Sequence, residues 1–294
     1  MNTILVPTDF SKNALNAVKY AFAYSEEIKS RVILFHSYNN PTGEIKMPFS
    51  DICYSKQEAR QNAEVRMKKL LTTLSKAFPN AKPKWIVQPG IASNNIAEYV
   101  KQNNIGLVIM GTTGQGAITR VLIGSTTSSV IADAPCTIIA VPPKAKFKGI
   151  NKVAIATDLE KDGLLAIDEL VHFGKQFHAE ITFIHVQDIE FFDVEDTLLR
   201  MVNSIKERMK YKKISFYICK GSDIANGLNF FIKKQKPDIL SMVKHNRKFY
   251  EKIWKTSWTN KMSNQTFVPL LVLPNLKSKE VKKISKKQAM TMIF

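Results

Sequence analysis

The chain repeats itself once, and the repeat limits what it can fold into. Thr3–Tyr38 aligns without gaps on Lys152–Gln187. Within that stretch Ile4-Leu5-Val6-Pro7-Thr8-Asp9 falls on Val153-Ala154-Ile155-Ala156-Thr157-Asp158, and Leu34-Phe35-His36 falls on Phe183-Ile184-His185. Further on, Gly90 corresponds to Gly221, and Val108-Ile109-Met110 to Leu240-Ser241-Met242. The run Thr137–Pro142 matches Pro269–Pro274. Each copy spans nearly a half-chain, so the repeat means two domains of one kind, each large enough for its own core. The domains are expected at 1–146 and 150–275, with 276–294 a basic C-terminal tail.

Each half reads as strands alternating with helices. In the first half, strands are predicted near 3–8, 31–37, 83–88, 106–110 and 136–141, and helices near 12–28, 56–78, 92–103 and 124–133. The first helix has Asp9 or Ser11 as its cap. Its apolar positions Ala14, Leu15, Val18, Ala21 and Phe22 are spaced for one face. Such alternation predicts an α/β protein of two repeated doubly wound domains, each a five-stranded parallel sheet with helices on both faces. Ligands of such sheets bind beyond the carboxyl ends of the strands, at the switch point. The Asp9 turn and the loop after Met110 both lie at such ends.

That second loop carries the strongest chemical signal. The apolar run Leu107-Val108-Ile109-Met110 passes into Gly111-Thr112-Thr113-Gly114, then nine residues, then Gly124-Ser125. Glycines after a strand let backbone N–H groups turn toward a phosphate, and a following helix N-terminus adds donors and a positive dipole end. Ser125, Thr126 and Thr127 could offer hydroxyls to phosphate oxygens or to hydrated magnesium. The alternative is an ordinary turn with a capped helix. No Gly-Lys-Ser/Thr is present, so this is not a Walker A loop. The first βα turn, Pro7-Thr8-Asp9-Phe10, lacks glycine, so it is not a dinucleotide fingerprint.

Together these residues resemble the universal stress protein family in its tandem form, with an adenine nucleotide alpha-hydrolase-like fold. The resemblance rests on Ile4-Leu5-Val6-Pro7-Thr8-Asp9-Phe10-Ser11, on Leu34-Phe35-His36, on the glycine motif, and on Ala134-Pro135-Cys136 through Pro142. The ATP-binding branch of that family carries Gly, two residues, Gly, nine residues, Gly, Ser/Thr, and the first half matches all four fixed positions. The resemblance implies ATP as ligand, with or without Mg2+, and a stress-response regulator or sensor. It places Asp9 beside the ribose, the end of the second strand at Ser37 against adenine, and Gly111, Gly114, Gly124, Ser125 and Thr126 around ribose and phosphates. Pro7 and Thr8 belong to the same nucleotide-binding set, mainly as shapers of the turn. Arg120 is either a phosphate partner or a solvated helix charge. His36 recurs as His185 in the second half, which favours a structural role. The chain has Gln115 where many family members have a basic residue, which would weaken triphosphate binding.

The second copy loses the motif. Gapless alignment puts Val243 at Gly111, Asn246 at Gly114, Thr256 at Gly124 and Ser257 at Ser125. Phe249, Tyr250 and Trp254 occupy the intervening stretch. The second domain is therefore expected not to bind nucleotide. The rival reading is an altered anion site built on Lys244, His245 and Arg247. By resemblance, the domains pair through their last strands as a pseudo-dimer, and two chains could form a homodimer.

Catalysis has little support, since no set of nucleophile, base and charge stabiliser can be read. The family resemblance allows at most slow ATP hydrolysis or autophosphorylation. The five histidines lack metal spacing, and Cys53, Cys136 and Cys219 are isolated, with Cys136 expected in core packing. Isolated cysteines and no secretory leader suggest a reducing, cytoplasmic setting. No apolar run reaches membrane-spanning length. The net charge of +18 raises nucleic acid as a partner. The densest basic run is the tail Lys277–Lys287, which reads first as a solvated end. The segment Tyr38–Tyr54 reads as ordinary loop variation, with a lid or a partner contact as alternatives.

Overall fold

The computed structural model describes residues 3–39, 56–112, 124–157, 164–187, 194–221, 224–243 and 268–274. The chain divides into two compact units, Met1–Lys148 and Gly149–Phe294.

In the first unit the order is β1 (Thr3–Pro7), α1 (Lys12–Glu27), β2 (Arg31–Tyr38), α2 (Lys56–Ala77), β3 (Lys84–Pro89), α3 (Ala92–Gln102), β4 (Leu107–Gly111), α4 (Ser125–Asp133) and β5 (Thr137–Val141). The strands lie in the order β3-β2-β1-β4-β5, and every pairing is parallel. The strand order reverses between β1 and β4, and this is the switch point. Central strands covered on both faces must be apolar throughout rather than alternating. Accordingly, Ile4, Leu5, Val6, Val108 and Ile109 are all fully buried.

Helix α1 lies against β1 and β4. Its buried positions include Ala14, Ala17, Val18, Ala21 and Phe22, the spacing of one helical face. Three alanines in that stripe let the helix axis approach the sheet closely. Phe22 supplies the bulk, and its full burial is worth roughly 1.5–3 kcal/mol. The helix starts at Ser11, whose side chain accepts from the Ala14 N–H at 3.1 Å. Of the two residues expected as the cap, Ser11 fills that position and Asp9 does not. Asp9 instead accepts from the Ser11 N–H through Oδ1 at 2.9 Å and forms the turn that precedes the cap.

The second unit repeats the topology with β6 (Lys152–Ala156), α5 (Leu164–Gln176), β7 (Glu180–Gln187), α6 (Val194–Met209), β8 (Ile214–Lys220), α7 (Ile224–Gln235), β9 (Ile239–Val243) and β10 (Leu270–Leu273). Its strands run β10-β9-β6-β7-β8, again parallel. The helix that the repeat predicts between β9 and β10 falls outside the described residues, as do the basic tail and most of the segment after Tyr38. The aligned glycines share a backbone role, with φ of +119° at Gly90 and +150° at Gly221. Gly90 follows β3 and Gly221 follows β8, each the end strand of its unit, and at these φ values a side chain would be strained.

Candidate functional site

A crevice of about 510 Å3 opens at the carboxyl ends of β1, β2 and β4. Pro7, Thr8, Asp9, Ser37, Gly111, Gly124, Ser125 and Thr126 all line it. Gly114 and Arg120 lie outside the described residues. Phe35, Ile96 and Met110 supply apolar wall.

The turn after β1 forms one side. The Thr8 N–H donates to the Phe35 carbonyl at 2.8 Å, continuing the β1–β2 pairing. The Phe10 N–H then donates to Thr8 Oγ1 at 3.0 Å, so the Thr8 hydroxyl shapes the turn. Phe10 has φ of +64°, a rare conformation for a bulky side chain. Its ring has two close neighbours. His36 lies 4.4 Å away between centroids, and the Arg66 guanidinium sits 4.4 Å over the ring. Arg66 also donates to the Asp9 carbonyl at 3.3 Å.

His36 is buried, and its Nδ1 lies 2.7 Å from the Thr8 carbonyl. A carbonyl only accepts, so Nδ1 carries the proton in this contact. Burial pushes the imidazole pKa below its ordinary value, and the nearby Arg66 charge lowers it further. His185 makes the same contact in the second unit, to the Thr157 carbonyl at 3.1 Å. The repeated bond ties the end of β2, or of β7, to the turn after the neighbouring strand. It gives both histidines a structural role.

At the end of β2, Ser37 Oγ accepts from Asn95 Nδ2 at 3.2 Å. The same amide nitrogen donates to the Pro89 carbonyl at 3.0 Å. Asn95 therefore braces both the strand end and the Gly90 turn.

Gly111 packs closely against α1. A Cβ there would lie 2.9 Å from Asn13 Nδ2 and 3.4 Å from the Asn13 backbone carbon. Helix α1 thus occupies the space a side chain would need. The Thr112 carbonyl accepts from the Gly124 N–H at 2.6 Å, closing the base of the loop between them. Gly124 caps α4 with φ −65° and ψ 157° and no side-chain hydrogen bond. The first N–H groups of a helix lack intrahelical partners, and here no side chain of the cap takes them. Ser125 and Thr126 line the crevice at that end. Thr127 differs from the expectation that it offers a free hydroxyl. Its Oγ1 donates to the Gly111 carbonyl at 2.8 Å, and the residue is 3% exposed. This hydroxyl therefore joins the first turn of α4 to the end of β4.

Sequence reasoning missed Arg66, the one cation among the described residues that line the crevice. It comes from α2, 57 residues from Asp9. Nothing in the sequence distinguishes it from the other 42 of the 43 lysines and arginines. Among the described residues no group of three or more His, Cys, Asp or Glu side chains could hold a metal. Cys136 is buried in the core, and burial raises the Cys219 thiol pKa.

A parallel sheet with helices on both faces and a ligand-sized crevice at its switch point defines a doubly wound α/β protein. Residues 1–142 match the family model described as the universal stress protein family, and the first unit belongs to that family. Universal stress protein MJ0531 of Methanocaldococcus jannaschii is 27% identical over 146 residues, which cover 49% of this chain and 83% of that protein. A universal stress protein from Archaeoglobus fulgidus shares the fold at 17% identity and a TM-score of 0.67, covering 93% of this chain and 96% of that one. The fold likeness therefore extends through the second unit. A universal stress protein solved in complex with cAMP aligns with 48% of this chain at 21% identity and a TM-score of 0.32. Among the described residues, no helix is long and apolar enough to cross a membrane.

Proposed function

We propose that the first unit binds an adenine nucleotide, ATP, in the switch-point crevice, and that the protein acts as a nucleotide-dependent stress-response regulator or sensor. The observation that carries this reading is the start of α4. Its cap is a glycine with no side-chain bond, it opens into the crevice beside Gly111, and such a terminus favours a phosphate. Ser125 and Thr126 would add hydroxyls to phosphate oxygens or to hydrated Mg2+. Gly114 and Arg120 would complete the phosphate side.

Asp9 would accept from a ribose hydroxyl, because it lines the crevice and a carboxylate can accept several hydrogen bonds besides the one from the Ser11 N–H. The strand end at Ser37 would meet the base. Arg66 would add positive charge at the rim. The second domain, spanning 150–275, would not bind nucleotide, because its aligned positions carry side chains where the first domain has glycine. Calorimetry with ATP and Mg2+ on the whole chain tests this reading. One nucleotide per chain supports it. Two per chain refutes the account of the second domain, and no saturable heat in nucleotide-free protein overturns the proposal.

A further inference from the structure

The first unit carries a second cavity, of about 620 Å3, at the opposite end of the sheet. It lies where β1, β2 and β3 begin. Lys29, Arg31, Lys82 and Lys84 line it, against one carboxylate, Glu26. None of these four cations forms an ion pair among the described residues. Helices α1 and α3 end beside the cavity, at Glu27 and Gln102. Each helix end contributes roughly half a negative charge. Those two ends and Glu26 offset about two of the four cations, which leaves a surplus of roughly two positive charges.

The second unit places its charges differently at this end of the sheet. There the gapless repeat puts His178 at Lys29 and Glu180 at Arg31. Ile33 pairs with Lys84, and the equivalent Thr182 pairs with Ser215, so Ser215 stands at Lys84. The remaining counterpart, Lys213, donates to the His178 carbonyl at 3.0 Å. The same offset puts Lys175 at Glu26 and Lys152 at Thr3, so the second unit keeps a basic rim but has no cation at the positions of Lys29, Arg31 and Lys84.

The cavity also has an apolar side. Tyr99 and the buried Phe22 line it. Ser30 lines it too, with its hydroxyl turned away into the protein and buried.

We propose that this cavity binds a phosphorylated small molecule whose remaining part is aromatic or apolar. The phosphate would sit among Lys29, Arg31, Lys82 and Lys84, near Ser30, and the apolar part against Tyr99. The test is amide NMR on the full chain with saturating ATP present, titrated with phenyl phosphate and, separately, with inorganic phosphate. Saturable shifts at Ser30, Arg31 and Lys84 are expected, with phenyl phosphate the tighter probe. Arg31→Glu, which copies Glu180 of the repeat at an exposed position, should weaken phenyl phosphate at least tenfold and leave the ATP titration unchanged. Shifts that do not saturate, shifts confined to Gly111 and Ser125, or unchanged affinity in Arg31→Glu would overturn the proposal. Lys84→Ser, copying Ser215, gives the same readout should Arg31→Glu fail to fold. Because ATP is read separately, this site can fail while the nucleotide proposal stands, and the reverse.

Discussion

Replacing Gly124 with aspartate should separate the two roles of the α4 N-terminus, its structural start and its capacity for an anion. Gly124 already has extended cap geometry, with φ −65° and ψ 157°, which an aspartate adopts without strain. The new carboxylate would accept from an N–H in the first turn. Exchanging glycine for aspartate at a cap is worth a few tenths of a kcal/mol. The negative charge beside the helix dipole adds about 0.3–1 kcal/mol. The first unit should gain about 0.5–1.5 kcal/mol, a rise of a few degrees in its melting temperature. The same carboxylate would face the phosphates. At about 6 Å and an effective dielectric of about 20–40, the repulsion per unit charge is roughly 1–3 kcal/mol. ATP affinity should therefore fall about tenfold or more. Gly124→Ser supplies the cap without the charge and should lose less. Thermal melting and ATP calorimetry on the three proteins make the comparison. Gly124→Asp binding ATP within twofold of the parent would refute the assignment of phosphate to this helix end.

Three further outcomes follow from the geometry. Gly111→Ala places a Cβ 2.9 Å from Asn13 Nδ2 and should cost about 1–3 kcal/mol by overpacking, read by denaturant unfolding. Arg66→Ala removes the contact over Phe10 and the bond to the Asp9 carbonyl. It should destabilise the unit by about 0.5–1 kcal/mol and lower ATP affinity severalfold, with a shallower salt dependence. His36 has a folded pKa below its ordinary 6.5, so the unfolded chain binds the extra proton first. Its contribution is complete above pH 6.5 and is lost as pH falls through the folded pKa. Urea unfolding at pH 7.5 and at pH 5.5 should show a smaller difference in His36→Gln than in the parent.

The element order was legible because its signals are local. Ser11 followed by a helical stripe of alanines marks the start of α1, and apolar runs such as Leu107–Met110 mark strands buried on both faces. The Gly90 and Gly221 pair was legible through the repeat, and both residues have positive φ. Side-chain partnerships were less so. Asp9 and Ser11 are both plausible caps by residue type, and the bond from the Ala14 N–H decides for Ser11. Ser125, Thr126 and Thr127 are equivalent as hydroxyl residues. All three line the crevice, and only the turn of α4 against β4 directs the Thr127 hydroxyl to the Gly111 carbonyl.

The sequence by itself determined the repeat, the alternation of strand and helix, the parallel sheet and the loops at its carboxyl ends. These follow from periodicity and turn chemistry, which act over a few residues. Tertiary structure decided which residues meet. It brought Arg66 over Phe10 and beside Asp9, set Asn13 against Gly111, and gathered four cations around the far cavity. Those contacts depend on how crossovers stack each helix on the sheet, and on that scale neighbours in space are tens of residues apart in the chain.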